Sequence, residues 1–554
     1  MLYREGGGAR RAHALAAVAL VGAVLVACSD GNGSDGADRA SDGATGAVGT
    51  PSGSHLPALT ATRGEHPAIL DADGRQVLLR GVNVNSLADY AHADDDLAPT
   101  VAVSDDDWDA MAAEGFDAVR LLVSWSRLEP EPGEIDEGYV DEVRHAVRAA
   151  ADRGMYTVLD MHQDAWGPHV ATPAGTDCPA GREPAIGWDG APAWATPDAG
   201  VNSCRGEGNR DDSELVREAW RRFYADEDGV RRHLVATWEE LVAALAAEPG
   251  VGGYDLLNEP GHAPGDASVT TDGLAAYYRE AIAAVRRGET RAGAPVRPKP
   301  IMFEYTVTGS PVAEDFSDDP ALVFAPHVYG GSIAPLTVEQ NWAYVRSLAD
   351  GYHTALWIGE YGWFDDPAGN LAKVRTFGQY EDAAVVGSAW WQWRQACGDP
   401  HSVGRVGGTP ADVVVEYRLN GCPGDRDLGV VPEWHEVVAR PYPRAAPGHI
   451  TSLAGDGARR TLTLAATGAD TGATLDLWVP ADPGRAEARS GDGEPDESDG
   501  EPVLTGMGIA TVEARPIEGG WRLTARICAA HYEVAVSPPT DPGAATDPPD
   551  TCPS

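Results

Sequence analysis

The sequence predicts a (β/α)8 barrel followed by a small C-terminal β-sandwich, and three observations predict it. Eight short apolar runs between Val77 and Trp391 alternate with helical patterns, as a parallel sheet with crossover helices requires. Two of those runs stop on a glutamate beside a turn residue, in Asn258-Glu259-Pro260 and Gly359-Glu360-Tyr361-Gly362. After Pro441-Tyr442-Pro443 the hydrophobic period changes to two, the alternation of half-buried strands. An open doubly wound sheet is the competing architecture, but no glycine-rich phosphate loop follows the first strand.

Arg4, Arg10 and Arg11 precede an apolar run from Ala14 to Ala27 that is too short for a typical spanning helix. The run ends Leu25-Val26-Ala27-Cys28, which resembles a bacterial lipobox. Residues 1–27 are therefore expected to be a cleaved lipoprotein signal and Cys28 the lipidated residue, anchoring the protein to the cell membrane. A plain secretory signal is the alternative, and both readings place the protein outside the cell. Residues 28–58 are Gly, Ser, Asp, Ala and Thr with few large apolar side chains, a flexible tether. The barrel is expected over 59–440, the sandwich over 441–537 and a disordered tail over 538–554.

A hairpin with its turn at Asp73-Gly74 opens the folded part and is expected to floor the barrel. The strands follow as Val77–Val84, Ala118–Val123, Tyr156–Asp160, Tyr254–Glu259, Ile301–Tyr305, Leu322–His327, Leu356–Glu360 and Val385–Trp391. Helical periodicity marks Asp107–Glu114, Tyr139–Arg153 and Val230–Ala247 between them. Two loops are long, 163–213 after strand three and 394–431 after strand eight. Both fall on the face where such barrels place their chemistry. In the sandwich, strands are expected at Thr461–Leu464, Thr474–Val479, Ala510–Ala514, Trp521–Ala525 and Tyr532–Val536, with an acidic solvated loop over 485–500.

Export sets the reading of the remaining cysteines. Cys178 with Cys204, Cys397 with Cys422 and Cys528 with Cys552 lie close enough along the chain for local disulfides, one of the fifteen pairings that six cysteines allow. No cysteine or histidine spacing suggests a zinc site, and neither metal nor cofactor is expected. The formal charge of −43 excludes nucleic acid and anionic lipid headgroups as electrostatic partners. The protein is expected to be a monomer.

Two glutamates at the mouth of one barrel suit retaining glycoside hydrolysis, in which one carboxyl protonates the leaving oxygen and the other forms a glycosyl-enzyme. Those roles need opposite pKa shifts, raised for the acid and not for the nucleophile. Asn258 offers an amide beside Glu259, and His327 and Tyr329 end strand six where they can orient Glu360. Arg120, in the middle of strand two, needs a carboxylate partner inside the barrel, and Glu360 is the one expected. His162 and Asp164 follow strand three and are read as contacts to sugar hydroxyls. Glu304 is a third carboxylate whose role the sequence leaves open.

Taken in order, Asn83, Arg120, Asp160-Met161-His162-Gln163-Asp164, Leu257-Asn258-Glu259-Pro260, His327-Val328-Tyr329, Gly359-Glu360-Tyr361-Gly362 and Trp391 resemble glycoside hydrolase family 5, and within it the endoglycoceramidases. The resemblance implies Glu259 as acid/base and Glu360 as nucleophile. It implies a subsite lined by Asn83, Arg120, His162, Asp164, Asn258, His327, Tyr329 and Trp391, with Trp391 as a sugar platform. The implied reaction releases an oligosaccharide from ceramide. The run from Val84 to Tyr90 lacks a lysine expected of gangliosidase-type members. The run Trp390-Trp391-Gln392-Trp393-Arg394-Gln395 is also richer in aromatics than those members lead one to expect, and the two departures together point to an offshoot, such as one cutting galactosylceramide-type cores. A β-glycanase acting on soluble polysaccharide, recognised by an open groove with sugar platforms on both sides, is the alternative within the family. An inactive glycan-binding surface lipoprotein is the alternative outside it.

Overall fold

The computed structural model describes residues 56–91, 96–197, 200–293, 297–364, 367–401, 416–481 and 500–538. The signal and Cys28, nearly all of the tether, the 485–500 loop up to residue 499, Cys552 and the tail from residue 539 lie outside the described residues.

The barrel strands are Gly81–Val84, Ala118–Ser124, Tyr156–His162, Val251–Asp255, Ile301–Phe303, Leu322–Phe324 continuing at His327–Val328, Ala355–Leu356 continuing at Ile358–Tyr361, and Ser388–Trp390. Strand six is broken at Ala325-Pro326, where proline has no N–H to give the ladder. Each strand pairs in parallel with the next in sequence. Both halves of strand six pair with strand seven, Val323 with Ala355 and His327 with Glu360. Strand eight returns to strand one through Ala389 with Gly81, so the sheet closes on itself.

Period two sorts the lumen into layers. Ala118, Val158, Met302, Val323 and Trp357 fill the lower lumen as one apolar cluster. Two residues further along their strands, Arg120, Asp160 and Glu304 make a buried polar layer. Outside, amphipathic helices cover the strands. Glu137–Asp152 starts at Asp136, whose side chain accepts from the Gly138 and Tyr139 N–H groups, and it buries Val140, Val143 and Val147. Val338–Tyr352 starts with a Thr337/Gln340 capping box. Among the described residues no helix is long and apolar enough to cross a membrane.

The turn at Asp73-Gly74 forms, but the strand before it, Ile69–Leu70, pairs with Thr60–Ala61 as well as bridging to Gln76. After the barrel, two four-stranded antiparallel sheets face one another across Ile450, Leu464, Leu477, Leu523 and Val534. They contain three strands beyond the five expected: Tyr442–Ala445, His449–Asp456 and Val503–Met507. The sandwich packs on the barrel through polar and apolar contacts. Arg80 and Arg440 meet Glu381 and Asp382, and the Tyr442 hydroxyl donates to the Gly115 carbonyl at 2.7 Å. Gly115 has φ +81° and lies under Trp478, whose ring would sit 2.4 Å from any Cβ.

Candidate active site

Strand four ends at Asp255, so Glu259 stands four residues beyond it in a turn rather than on the strand. Its φ of +38° is in the left-handed region. The turn is held from two sides. Gln163 Nε2 donates to the Asn258 and Glu259 carbonyls, both at 2.7 Å, and the Glu259 N–H donates to Glu304 Oε2 at 3.2 Å. Glu360 lies on strand seven, in register with His327. One carboxylate oxygen from each glutamate and a His327 nitrogen lie within 4.8 Å of one another. That spacing belongs to retaining glycosidases, since inverting enzymes hold their carboxyls roughly 6.5–9.5 Å apart to admit a water.

The two glutamates have different neighbours. Glu360 accepts from Arg120 Nη1 and from the Tyr329 hydroxyl, each at 2.8 Å. Glu259 Oε1 is 2.9 Å from His327 Nδ1, and Glu259 Oε2 accepts from Arg210 Nη2 at 2.5 Å. His327 was expected to serve Glu360, but it is closer to Glu259; its Nδ1 is 3.3 Å from Glu360 and its Nε2 3.2 Å from Glu304. Burial would lower the imidazole, but the Glu304 and Glu360 charges outweigh it and hold His327 well above the usual histidine range. Burial alone would raise Glu259. The His327 hydrogen bond and then the Arg210 guanidinium reverse that and hold it below the usual carboxylate range, against the raised value expected for an acid.

Arg120 is 0% exposed and organises the layer below. It donates to Asp255, Glu360, Asn258, Asn83 and Glu304 at 2.8–3.3 Å and pairs with Asp160 at 3.0 Å. The expected Glu360 partner is there, with three further carboxylates around one cation. Burial, partly offset by His327, raises Glu304 to about 8, and burial against Arg120 raises Asp255 to about 6. The layer thus need not carry four full negative charges at neutral pH.

Asn83 and Arg120 were expected to touch substrate, and the structure corrects this. Asn83 is fully buried, with its amide donating to the Gly359, Ala389 and Trp390 carbonyls and its oxygen accepting from Arg120. Both side chains point into the lumen below the cleft, so they position the residues above. His162, Asp164, Asn258, His327, Tyr329 and Trp391 do line the cleft, whose volume is about 900 Å3. Trp391 stacks on His162 with centroids 5.6 Å apart, whereas Trp390 packs against Tyr361 and Trp434 and Trp393 against Tyr417, away from it. His162 is held by Asp160 at 2.7 Å, and that charge, working against burial, raises it to about 10.

The long loops wall the cleft and bring residues that periodicity and motif did not single out. Arg210 reaches Asp164 at 2.7 Å as well as Glu259, with its guanidinium 5.1 Å from the Trp188 ring centroid. His401 sits between Asp399 at 2.8 Å and Asp164 at 3.3 Å. Cys178 is bonded to Cys204 and Cys397 to Cys422 within these loops, while the third pairing involves Cys552, outside the described residues. The same cleft also has an apolar stretch: Val307, Ile333, Ala334, Pro335, Leu336 and Phe364 line it, with Ile333 66% and Leu336 38% exposed and Ala334 and Phe364 packed against Tyr329 and Trp391. Glu259, His327 and Glu360 have the composition of a metal site. The guanidiniums of Arg210 and Arg120 already supply the positive charge that a cation would bring.

A closed barrel with two carboxylates meeting at this spacing defines a retaining glycoside hydrolase. The sequence profile of the cellulases, glycosyl hydrolase family 5, matches residues 70–396, and the chain belongs to that family. It is similar over 87% of its length to the whole of a crystal structure of an endogalactoceramidase, at 40% identity with a TM-score of 0.75. Endoglycoceramidase I of Rhodococcus hoagii is 29% identical over 381 residues, 63% of this chain and 71% of that protein. The fold is also shared with endo-glycoceramidase II from Rhodococcus sp. in its ganglioside GM3 complex. There 86% of this chain covers all of that one at 22% identity, with a TM-score of 0.63.

Proposed function

We propose that the protein is a retaining endo-glycosidase that hydrolyses the β-glycosidic bond between the glycan of a glycosphingolipid and its ceramide. The observation that carries this reading is the mixed lining of the one cleft that holds both glutamates. Charged and aromatic groups suited to sugar (His162, Asp164, Trp188, Trp391) and an apolar stretch that leaves Ile333 and Leu336 exposed line the same cleft as Glu259 and Glu360. The tryptophans lining the cleft, Trp188 and Trp391, both pack against His401. The similarity to an endogalactoceramidase and an endoglycoceramidase supports the same substrate class.

In this reading Glu360 attacks the anomeric carbon as Glu259 gives its proton to the glycosidic oxygen, so ceramide leaves as an alcohol and a glycosyl-Glu360 ester remains. Glu259, now a carboxylate, takes a proton from water as that water displaces Glu360 with net retention. Tyr329 and Arg120 fix the Glu360 oxygens throughout. The N-terminal pattern and the loop disulfides support an exported protein tethered to the membrane through Cys28 and residues 28–58, within reach of lipid substrate. Incubation with a panel of glycolipids, with both products identified by mass, tests the proposal: intact glycan and free ceramide are expected. Release of single sugars from the non-reducing end, or cleavage of β-glucan alone, refutes it.

A further inference from the structure

Glu259 has to carry a proton in the first half of the reaction, yet both its oxygens meet cationic groups in the free protein. The two are not alike. His327 belongs to a barrel strand and is shared with Glu304 and Glu360, so its place is set by the barrel. Arg210 is 22% exposed on its side chain, lies on the loop wall, and has a second partner in Asp164. The guanidinium can let go of Glu259 and keep its Asp164 pair and its packing on Trp188. The oxygen it occupies, Oε2, is the one His327 leaves free for a glycosidic oxygen.

We propose, resting on the retaining reading above, that Arg210 is a positioning residue that acts through Glu259. It occupies the acid/base oxygen in the empty cleft and yields it when substrate binds, so that filling the cleft and protonating Glu259 are coupled. A solvent proton replaces the departing N–H on Glu259 Oε2, and glycosylation passes that proton to the leaving oxygen. In the second half-reaction Glu259 is a carboxylate again, and Arg210 can return to it. The other titratable groups facing Glu259 do not supply this control. Glu304, Glu360, Asp164 and Asp211 are acidic and oppose its ionisation, and the Tyr305 and Tyr329 phenols are held neutral by burial. Among the described groups that bond Glu259 directly, Arg210 and His327 favour the carboxylate.

The test compares wild type, Arg210→Lys and Arg210→Met on two aryl glycosides, a phenyl glycoside that needs the acid and a dinitrophenyl glycoside whose leaving group does not. Loss of the guanidinium removes a stabilising charge from ionised Glu259, so the alkaline limb of kcat/KM for the phenyl glycoside is expected to move up by about one pH unit in Arg210→Met. Arg210→Lys should keep it near the wild-type position, and cleavage of the dinitrophenyl glycoside should stay far less affected. An NMR titration of the Glu259 carboxyl, assigned by its loss in Glu259→Gln, should show the same upward shift. An unmoved limb and an unmoved carboxyl titration in a folded Arg210→Met protein overturn the proposal. So does equal loss on both glycosides. Wild type that cleaves neither glycoside overturns the glycosidase reading itself, which separates the two failures.

Discussion

The two ends of the barrel lumen are made by the same strands and differ in almost every physical respect. On strand three Val158 belongs to the lower end and Asp160 and His162 to the upper; on strand five Met302 belongs to the lower and Glu304 to the upper. The lower end is filled by nonpolar contact, which asks for volume and little else. The upper end buries Arg120, Asp160, Asp255, Glu304 and Glu360 together, and each holds its place only because the others hold theirs. Geometry at the mouth is therefore specified more tightly than at the floor, and it has to be, since the reaction needs two carboxyls at one spacing. Substitutions at the two ends should fail in different ways.

The largest effects are expected from the pair itself. Glu360→Gln and Glu259→Gln keep shape and remove the nucleophile or the acid, and each should lower kcat/KM on glycolipid by roughly 10³-fold or more with little change in the unfolding midpoint. Normal turnover by either variant would end the assignment. Next comes Arg120→Met, which leaves buried carboxylates without their cation and should cost about 3–5 kcal/mol in denaturant unfolding as well as activity. Retention of wild-type stability would show that the upper layer is not held by this charge. At the floor, Met302→Ala opens a cavity and should cost about 2–4 kcal/mol while kcat/KM of the folded protein stays unchanged. A large loss of kcat/KM there would erase the distinction between the two ends.

The smallest effect is a slope. His162 is raised in the folded protein to about 10, burial being outweighed by Asp160 and then Asp164. The folded state therefore binds this proton more tightly than the unfolded chain does. Its contribution is complete below the unfolded histidine value of about 6.5 and is lost as pH rises toward about 10. His162→Gln should flatten the fall in unfolding free energy across that interval; an identical slope in both proteins would mean His162 is not protonated where the structure places it.

The barrel was legible because its signals are local: apolar runs of strand length, helical periods between them, and carboxylates beside turn residues. The sandwich was half legible. Val503–Met507 contains Gly506, Tyr442–Ala445 contains Pro443, and the register of His449–Asp456 shifts between Ile450 and Ser452, so none of the three keeps the alternation that marks a strand. At the site, Glu259, Glu360, His327, Tyr329 and Trp391 could be named because they end strands or sit in short motifs. Arg210 and His401 could not, since nothing in a polar loop says where it folds back.

By itself the sequence determined the order of the strands, the alternation that assigns residues to lumen or helix layer, and the two acids at the mouth, because those follow from spacing along the chain. Only the tertiary structure decided that Asn83 and Arg120 lie beneath the cleft, that Arg120 gathers four carboxylates, that His327 sits closest to Glu259, and that Arg210 closes on Glu259 from a distant loop. The reason is physical. Protonation and orientation depend on charges within a few ångströms in space, and in a closed barrel those neighbours come from strands and loops that the sequence keeps far apart.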